Sequence, residues 1–148
     1  MARPKSYRDL IVWQKAMALT RQVYRLTENL PKREAYGLTD QMRRAAVSVA
    51  SNIAEGYGRL SDLQFRQFLG NARGSLCELQ TQVELATDLD YLKKEDGREL
   101  MVEAAEVGRI LNGLIVSLKP SPIAKASGTS SANTANPASP ASPADYVS

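Results

Sequence analysis

Eight cations, Arg3, Lys5, Arg8, Lys15, Arg21, Arg25, Lys32 and Arg33, fall within the first 33 residues. Most avoid the apolar positions of that stretch, and Tyr7 and Tyr36 stand nearby. Side chains of this kind neutralise phosphates, and tyrosine rings stack on unpaired bases, so the chemistry on offer is contact with a nucleic-acid backbone. Arg43 continues the series on the next segment. Nothing has the spacing of a base-reading motif, so binding of RNA or DNA here is a matter of shape and charge. A solvated amphipathic helix accounts for the same residues, and both readings stay open.

A second group is polar and periodic. Gln41, Arg44, Ser48, Asn52 and Glu55 recur at spacings of 3, 4, 4 and 3, which lines them along one helical face. Further on, Asn71, Ser75, Glu78 and Gln82 repeat at 4, 3 and 4. Folding the two stretches about a turn near residues 58–60 sets Ser48 beside Asn71, and Arg44 beside Ser75 and Glu78. The expectation is a packed network of Arg44, Ser48, Asn52, Glu55, Asn71, Ser75 and Glu78, with Arg44 or Arg43 paired to Glu78 across the hairpin. Two separate solvent-facing stripes, worth little energy, are the alternative.

Catalysis finds few footholds. The sequence has no His, so the Glu-x-x-His ligands of di-iron bundles cannot be assembled, and one Cys cannot complete a zinc set. Glu78, Glu84 and Asp88 would make a carboxylate-only magnesium site, but they read as helix-surface charge. Gly56-Tyr57-Gly58 lacks the Lys and Ser/Thr of a phosphate-cradling loop, and no base is present to activate a Ser. We expect a non-enzymatic protein with no catalytic, cofactor or metal residues. Cys77, on an apolar-rich helix, reads as a buried, inert thiol; a single Cys rules out an intramolecular disulfide and fits a reducing compartment. MARPKSYRDL carries no apolar leader and no run approaches the ~20 residues of a membrane span, so the expected setting is cytoplasmic, away from membranes.

Four helical segments must position these residues. In the first, about Tyr7 to Glu28, Val12, Ala16, Leu19, Val23, Leu26 and Leu30 form a heptad seam, and Trp13, Met17 and Tyr24 widen the apolar face enough for more than one neighbour. Asn29-Leu30-Pro31 ends it. The second runs from an N-cap at Thr39 to Gly56, with Leu38, Met42, Ala45, Val49 and Ile53 as its seam. Ser61-Asp62-Leu63-Gln64 matches a capping box for the third, whose seam is Phe65, Leu69, Ala72, Leu76, Leu79, Val83 and Ala86, ending near Tyr91. The fourth follows Lys93-Lys94 with Leu100, Ala104, Val107, Leu111, Leu114 and Leu118, and Pro120 closes it. Short connections between long seams predict an all-α, antiparallel up-down-up-down four-helix bundle over residues 1–119. Residues 120–148 are rich in Pro, Ala and Ser and poor in large apolar groups, which predicts a disordered tail.

Charge is distributed unevenly over this frame. The net charge is only +3, but residues 1–44 hold ten Lys/Arg against four Asp/Glu, while residues 78–106 hold nine Asp/Glu against three Lys/Arg. Such a chain offers a basic face to phosphate and an acidic face to a neighbour, or neutralises its two halves within the bundle or between subunits.

Several strings resemble one family, the bacterial four-helix bundle proteins known as 23S ribosomal RNA intervening-sequence proteins. They are Tyr7-Arg8-Asp9-Leu10 with Val12-Trp13-Gln14-Lys15-Ala16, Tyr36-Gly37-Leu38-Thr39, Arg43-Arg44-Ala45-Ala46-Val47-Ser48 and Ser51-Asn52-Ile53-Ala54-Glu55-Gly56. Phe68-Leu69, Gly74-Ser75-Leu76 and Glu78-Leu79 add to them, and the likeness covers about residues 6–119. The resemblance implies a homo-oligomeric, barrel-like assembly, a pentamer, of antiparallel bundles. A related branch looks like the accessory variability proteins of diversity-generating retroelements, which associate with a reverse transcriptase and its template RNA. Carried over, Trp13, Met17 and Tyr24 become the subunit contact. Arg8, Lys15, Arg21, Arg25, Lys32, Arg33 and Arg43 become the surface for nucleic acid or a polymerase. The resemblance supplies no catalytic residues.

Overall fold

The computed structural model describes residues 4–119, and Arg3 and the predicted tail lie outside them. Among the described residues there are two short 3-10 turns, Tyr7–Asp9 and Lys32–Glu34, and four long helices: α1 (Ile11–Thr27), α2 (Leu38–Tyr57), α3 (Asp62–Asp88) and α4 (Lys94–Ser117). α1 packs on α2, α2 on α3, α3 on α4, and α4 back on α1, which closes the antiparallel four-helix bundle. Within these residues no strand occurs, and no helix is long and apolar enough to cross a membrane.

The four seams meet on the bundle axis. Every predicted seam residue of α2 is buried, as are those of α1 and of the α3 run from Leu69 to Ala86, while Phe65, Leu114 and Leu118 at one end are half-buried. Burying a Leu or Ile side chain contributes roughly 1.5–3 kcal/mol, so this core is what holds the helices together. The first predicted helix is broken, because Leu10 takes an extended conformation (φ −73°, ψ 123°) between the 3-10 turn and α1. Ser61 caps α3 as predicted, its Oγ accepting from Gln64 N at 3.2 Å.

α2 starts differently from the sequence expectation. Thr39 is not the N-cap; it is buried in the first turn, and Gly37 holds the cap position. Glu34 does the capping from the preceding loop, its Oε2 accepting from Leu38 N at 3.1 Å. A Cβ on Gly37 would sit 2.8 Å from that same oxygen, so a larger residue there would make the carboxylate shift.

The α2–α3 seam is closely packed. A Cβ on Gly56 would lie 2.6 Å from Phe68 Cβ and 3.0 Å from the Phe65 ring, so the backbones approach where glycine alone fits. Farther along, Ser48 and Ser75 share a 2.7 Å hydrogen bond, and Asn52 Nδ2 donates to the Ser48 carbonyl (2.8 Å) and to its Oγ (3.0 Å). Ser48 therefore faces Ser75, one helical turn beyond the predicted Asn71. The connection between the helices runs from Gly58 to Ser61.

The predicted cross-hairpin pair does not form. Arg44 reaches back one turn to Asp40 (2.8 Å) on the open side of α2, Arg43 turns toward α1, and Glu78 is exposed and accepts from Gln82 Nε2 at 3.3 Å. Glu55 pairs with Arg59 in the turn just past α2, and Asn71 is exposed. The network contracts to Ser48, Asn52 and Ser75. Cys77 is a second correction: it is exposed, because it follows the seam residue Leu76 by one position and so points about 100° away from the axis.

Denaturant unfolding of three variants checks this packing. Gly56→Ala should lose about 1–3 kcal/mol through overpacking. Glu78→Ala should change stability by no more than about 0.5 kcal/mol. Gly74→Ala, mid-helix with open space around the added methyl, should gain about 0.5–1 kcal/mol.

Candidate nucleic-acid interface

α1 determines where most of the predicted cations go. With its seam against the core, residues flanking Thr20 and Thr27 face α2, and residues near Lys15 face α4. Thr20 Oγ1 donates toward both the Ala16 carbonyl (2.7 Å) and, across the interface, the Ala46 carbonyl (3.2 Å), which holds α1 to α2. One turn on from Ala46, Arg43 reaches the same interface. Its Nε donates to Thr27 Oγ1 at 2.9 Å, its Nη2 to the Tyr24 carbonyl at 3.3 Å, and its guanidinium lies 4.7 Å over the Tyr24 ring.

Of the seven cations assigned to the interface, only Lys15 is ion-paired among the described residues, at 2.8 Å from Glu106 on α4. Arg8, Arg33 and Arg43 lie over the rings of Tyr7, Tyr91 and Tyr24, at 4.7, 5.8 and 4.7 Å. Arg25 is bonded by Gln22 Oε1 (2.7 Å from Nη2), and Arg21 and Lys32 are exposed. The cations do not gather at one point. Arg8 sits at the end of the bundle with the 3-10 turn, Lys32 and Arg33 at the opposite end, and Arg21, Arg25 and Arg43 along the side between them.

The predicted subunit contact is partly used by the chain itself. Trp13 and Met17 are half-buried against the core, and Trp13 meets Tyr7 edge-on at 5.2 Å. Tyr24 is exposed beside Val47, and the two border a shallow concavity with Arg43 and Arg44.

Sequence reasoning missed the loop residues that finish the Lys32–Arg33 end. Glu34, besides capping α2, accepts from the Tyr91 hydroxyl at 3.3 Å, which ties the α3–α4 turn to the α1–α2 loop. Lys93 and Lys94 follow Tyr91 and are exposed. The signal available in the sequence was a Glu four residues ahead of a helix start; its second partner, 57 positions away, left none.

The acidic α4 flank sets the other boundary of the basic side. Burial, followed by the charge of Glu99, raises the Glu103 carboxyl above its usual range, while Arg25 pulls it the other way. The hydrogen bond and charge of Lys15 hold Glu106 below that range. Lys15 and Glu106 therefore neutralise one another across the α1–α4 seam, and the other six interface cations have no ion pair among the described residues. No cluster of potential metal ligands occurs among the described residues.

A carboxyl with a lowered folded pKa adds stability that is complete above its unfolded pKa and is lost as pH falls through the folded one. A raised carboxyl does the reverse, costing stability at neutral pH and releasing that cost on acidification. Glu106→Gln should therefore lower the melting temperature at pH 7, and Glu103→Gln should raise it. Both differences should vanish well below the ordinary carboxylate pKa of about 4, as thermal scans across pH would show.

The sequence model of the 23S rRNA-intervening sequence proteins matches residues 8–113. A comparison with curated proteins finds no match. Among solved structures, the chain resembles a crystal structure from Bacteroides thetaiotaomicron, described as a protein with unknown function from the S23 ribosomal protein family. The TM-score is 0.67 at 21% identity, over 71% of this chain and 98% of the other, which is a likeness of fold. The family model covers most of the chain's length: the chain belongs to the 23S rRNA-intervening sequence protein family.

Proposed function

We propose that the protein is a non-enzymatic, oligomeric scaffold of the cytoplasm that holds RNA or DNA through phosphate contacts to its α1–α2 side. The observation that carries this reading is the charge balance of that side. Six of its seven predicted cations have no carboxylate partner among the described residues, and three of them lie over tyrosine rings. Guanidinium groups held against aromatic faces keep their charge while losing side-chain freedom, which suits repeated phosphate contact. The family name, which refers to an intervening sequence of ribosomal RNA, supports nucleic acid over other polyanions. Self-assembly into a pentamer would use the exposed edge of the Trp13, Met17 and Tyr24 flank.

One observation favours a second reading. Tyr24, Arg43 and Val47 combine an exposed aromatic, an arginine and an apolar side chain, a composition enriched at protein interfaces. That patch suits an accessory subunit docking on a protein such as a retroelement reverse transcriptase.

Titration of single-stranded RNA at several salt concentrations tests the first reading. Affinity should fall steeply with salt, and Arg21→Glu and Arg25→Glu should each flatten the log–log slope by about 0.7. Affinity independent of salt, or appearing only with a polymerase present, would favour the second. Mass photometry at micromolar concentration should show an oligomer; a monomer would remove the assembly from the proposal.

A further inference from the structure

The end of the bundle where α2 turns into α3 is apolar beyond what the core requires. Leu60, in that turn, is fully exposed, and Ile11, Leu63 and Val116 at the same end are each at least 60% exposed. A cavity of about 240 Å³ opens there, with Leu10, Tyr57, Leu60, Phe65, Leu114 and Leu118 in its lining. It is smaller than the roughly 300–1,000 Å³ of small-ligand sites, and suits one aliphatic side chain. Two of its polar lining residues already have partners: Arg59 pairs with Glu55, and Ser61 caps α3. Asp62, exposed at the rim, has no ion pair among the described residues.

The chain itself supplies an occupant. α4 stops at Ser117, its C-cap Leu118 lines the cavity, and the described residues end at Lys119. Pro120-Ser121-Pro122-Ile123 follows. Neither proline has an N–H with which to continue the helix, so the segment must turn off the α4 axis. Ile123 is the single large aliphatic residue between Pro120 and Asp145. It stands five positions beyond Leu118, within about 15 Å even in extended polyproline geometry. We propose that residues 120–123 fold back over this end and seat Ile123 in the cavity, with Lys125 beside Asp62. A short tether gives the segment an effective concentration on the order of millimolar, so it outcompetes a second copy of the chain at micromolar concentration. Covering Leu60 in this way also removes an apolar patch that would otherwise promote aggregation. The proposal is independent of the nucleic-acid reading.

Melting temperatures of the full chain carrying Leu60→Ser, Ile123→Ser or both test the seat. A bare surface leucine would accept serine with almost no effect. Seating predicts that each single change lowers the melting temperature by about 3 °C. The double variant should melt no lower than either single one, because both remove the same contact. Ile123→Leu should keep most of the stability. A dye that fluoresces on apolar surface should respond weakly to the unmutated chain and more strongly to Ile123→Ser. No effect of Ile123→Ser, or two additive losses, overturns the seat. So does a melting temperature that rises with protein concentration and loses that rise in Leu60→Ser, which assigns the cavity to a second copy.

Discussion

The structure depends on how closely two backbones can approach along the α2–α3 seam. Gly56 against Phe68 fixes the distance at one end, and the Ser48–Ser75 hydrogen bond bridges it farther along. Ala45 and Ala72 are buried beside it. Helices this near to each other leave no room between them for long side chains. Arg43 lies on the flank of α2 that meets α1, and Val47 is exposed beside it. The cationic side is thus a consequence of packing small residues elsewhere. A protein interior tolerates voids poorly, so the same small residues that allow the approach also require it.

α1 completes the arrangement by hydrogen bonding as much as by burial. Thr20 and Thr27 are buried polar groups, and each finds a partner on α2: the Ala46 carbonyl for Thr20 and Arg43 for Thr27. Each hydroxyl also bonds within α1, to the Ala16 and Val23 carbonyls, so the contacts to α2 add directional restraint to groups that are already satisfied. Arg43 thereby links fold to function. One side of its guanidinium completes the α1–α2 interface, and its charge remains available at the surface over Tyr24. On the far flank, Lys15 pairs with Glu106, and Arg25 acts on Glu103 through its charge without an ion pair. This pairing keeps the acidic half of the chain from cancelling the whole basic side.

Much of this was legible in the sequence because a period near 3.5 in apolar residues admits one solution over twenty or more residues. The α2 seam from Leu38 to Ile53 and the α3 run from Leu69 to Ala86 are buried without exception. What failed was whatever depended on a single residue's azimuth or on a distant contact. Cys77 was assigned inward from the apolar richness of its surroundings, although its position one step past Leu76 turns it outward. Arg44 and Glu78 were paired by hairpin counting, but an Asp one turn back was nearer for Arg44. The α2 cap came from Glu34 in the loop rather than from Thr39. Of the interface, the cations themselves could be read directly, being polar residues off a seam. Their aromatic partners could not, because Tyr91 reaches Arg33 only after the chain has traversed two helices.

The central claim is that nucleic acid lies along the α1–α2 side and the loop end of this bundle, not merely wherever Lys and Arg occur. Photo-cross-linking of a single-stranded RNA to the intact chain, with the linked residues mapped by mass spectrometry, tests it most directly. Cross-links concentrated at Tyr24, Tyr36, Tyr91 and their neighbouring cations would agree with the account. Cross-links centred on the α3–α4 side, around Arg73 and Arg109, would contradict it.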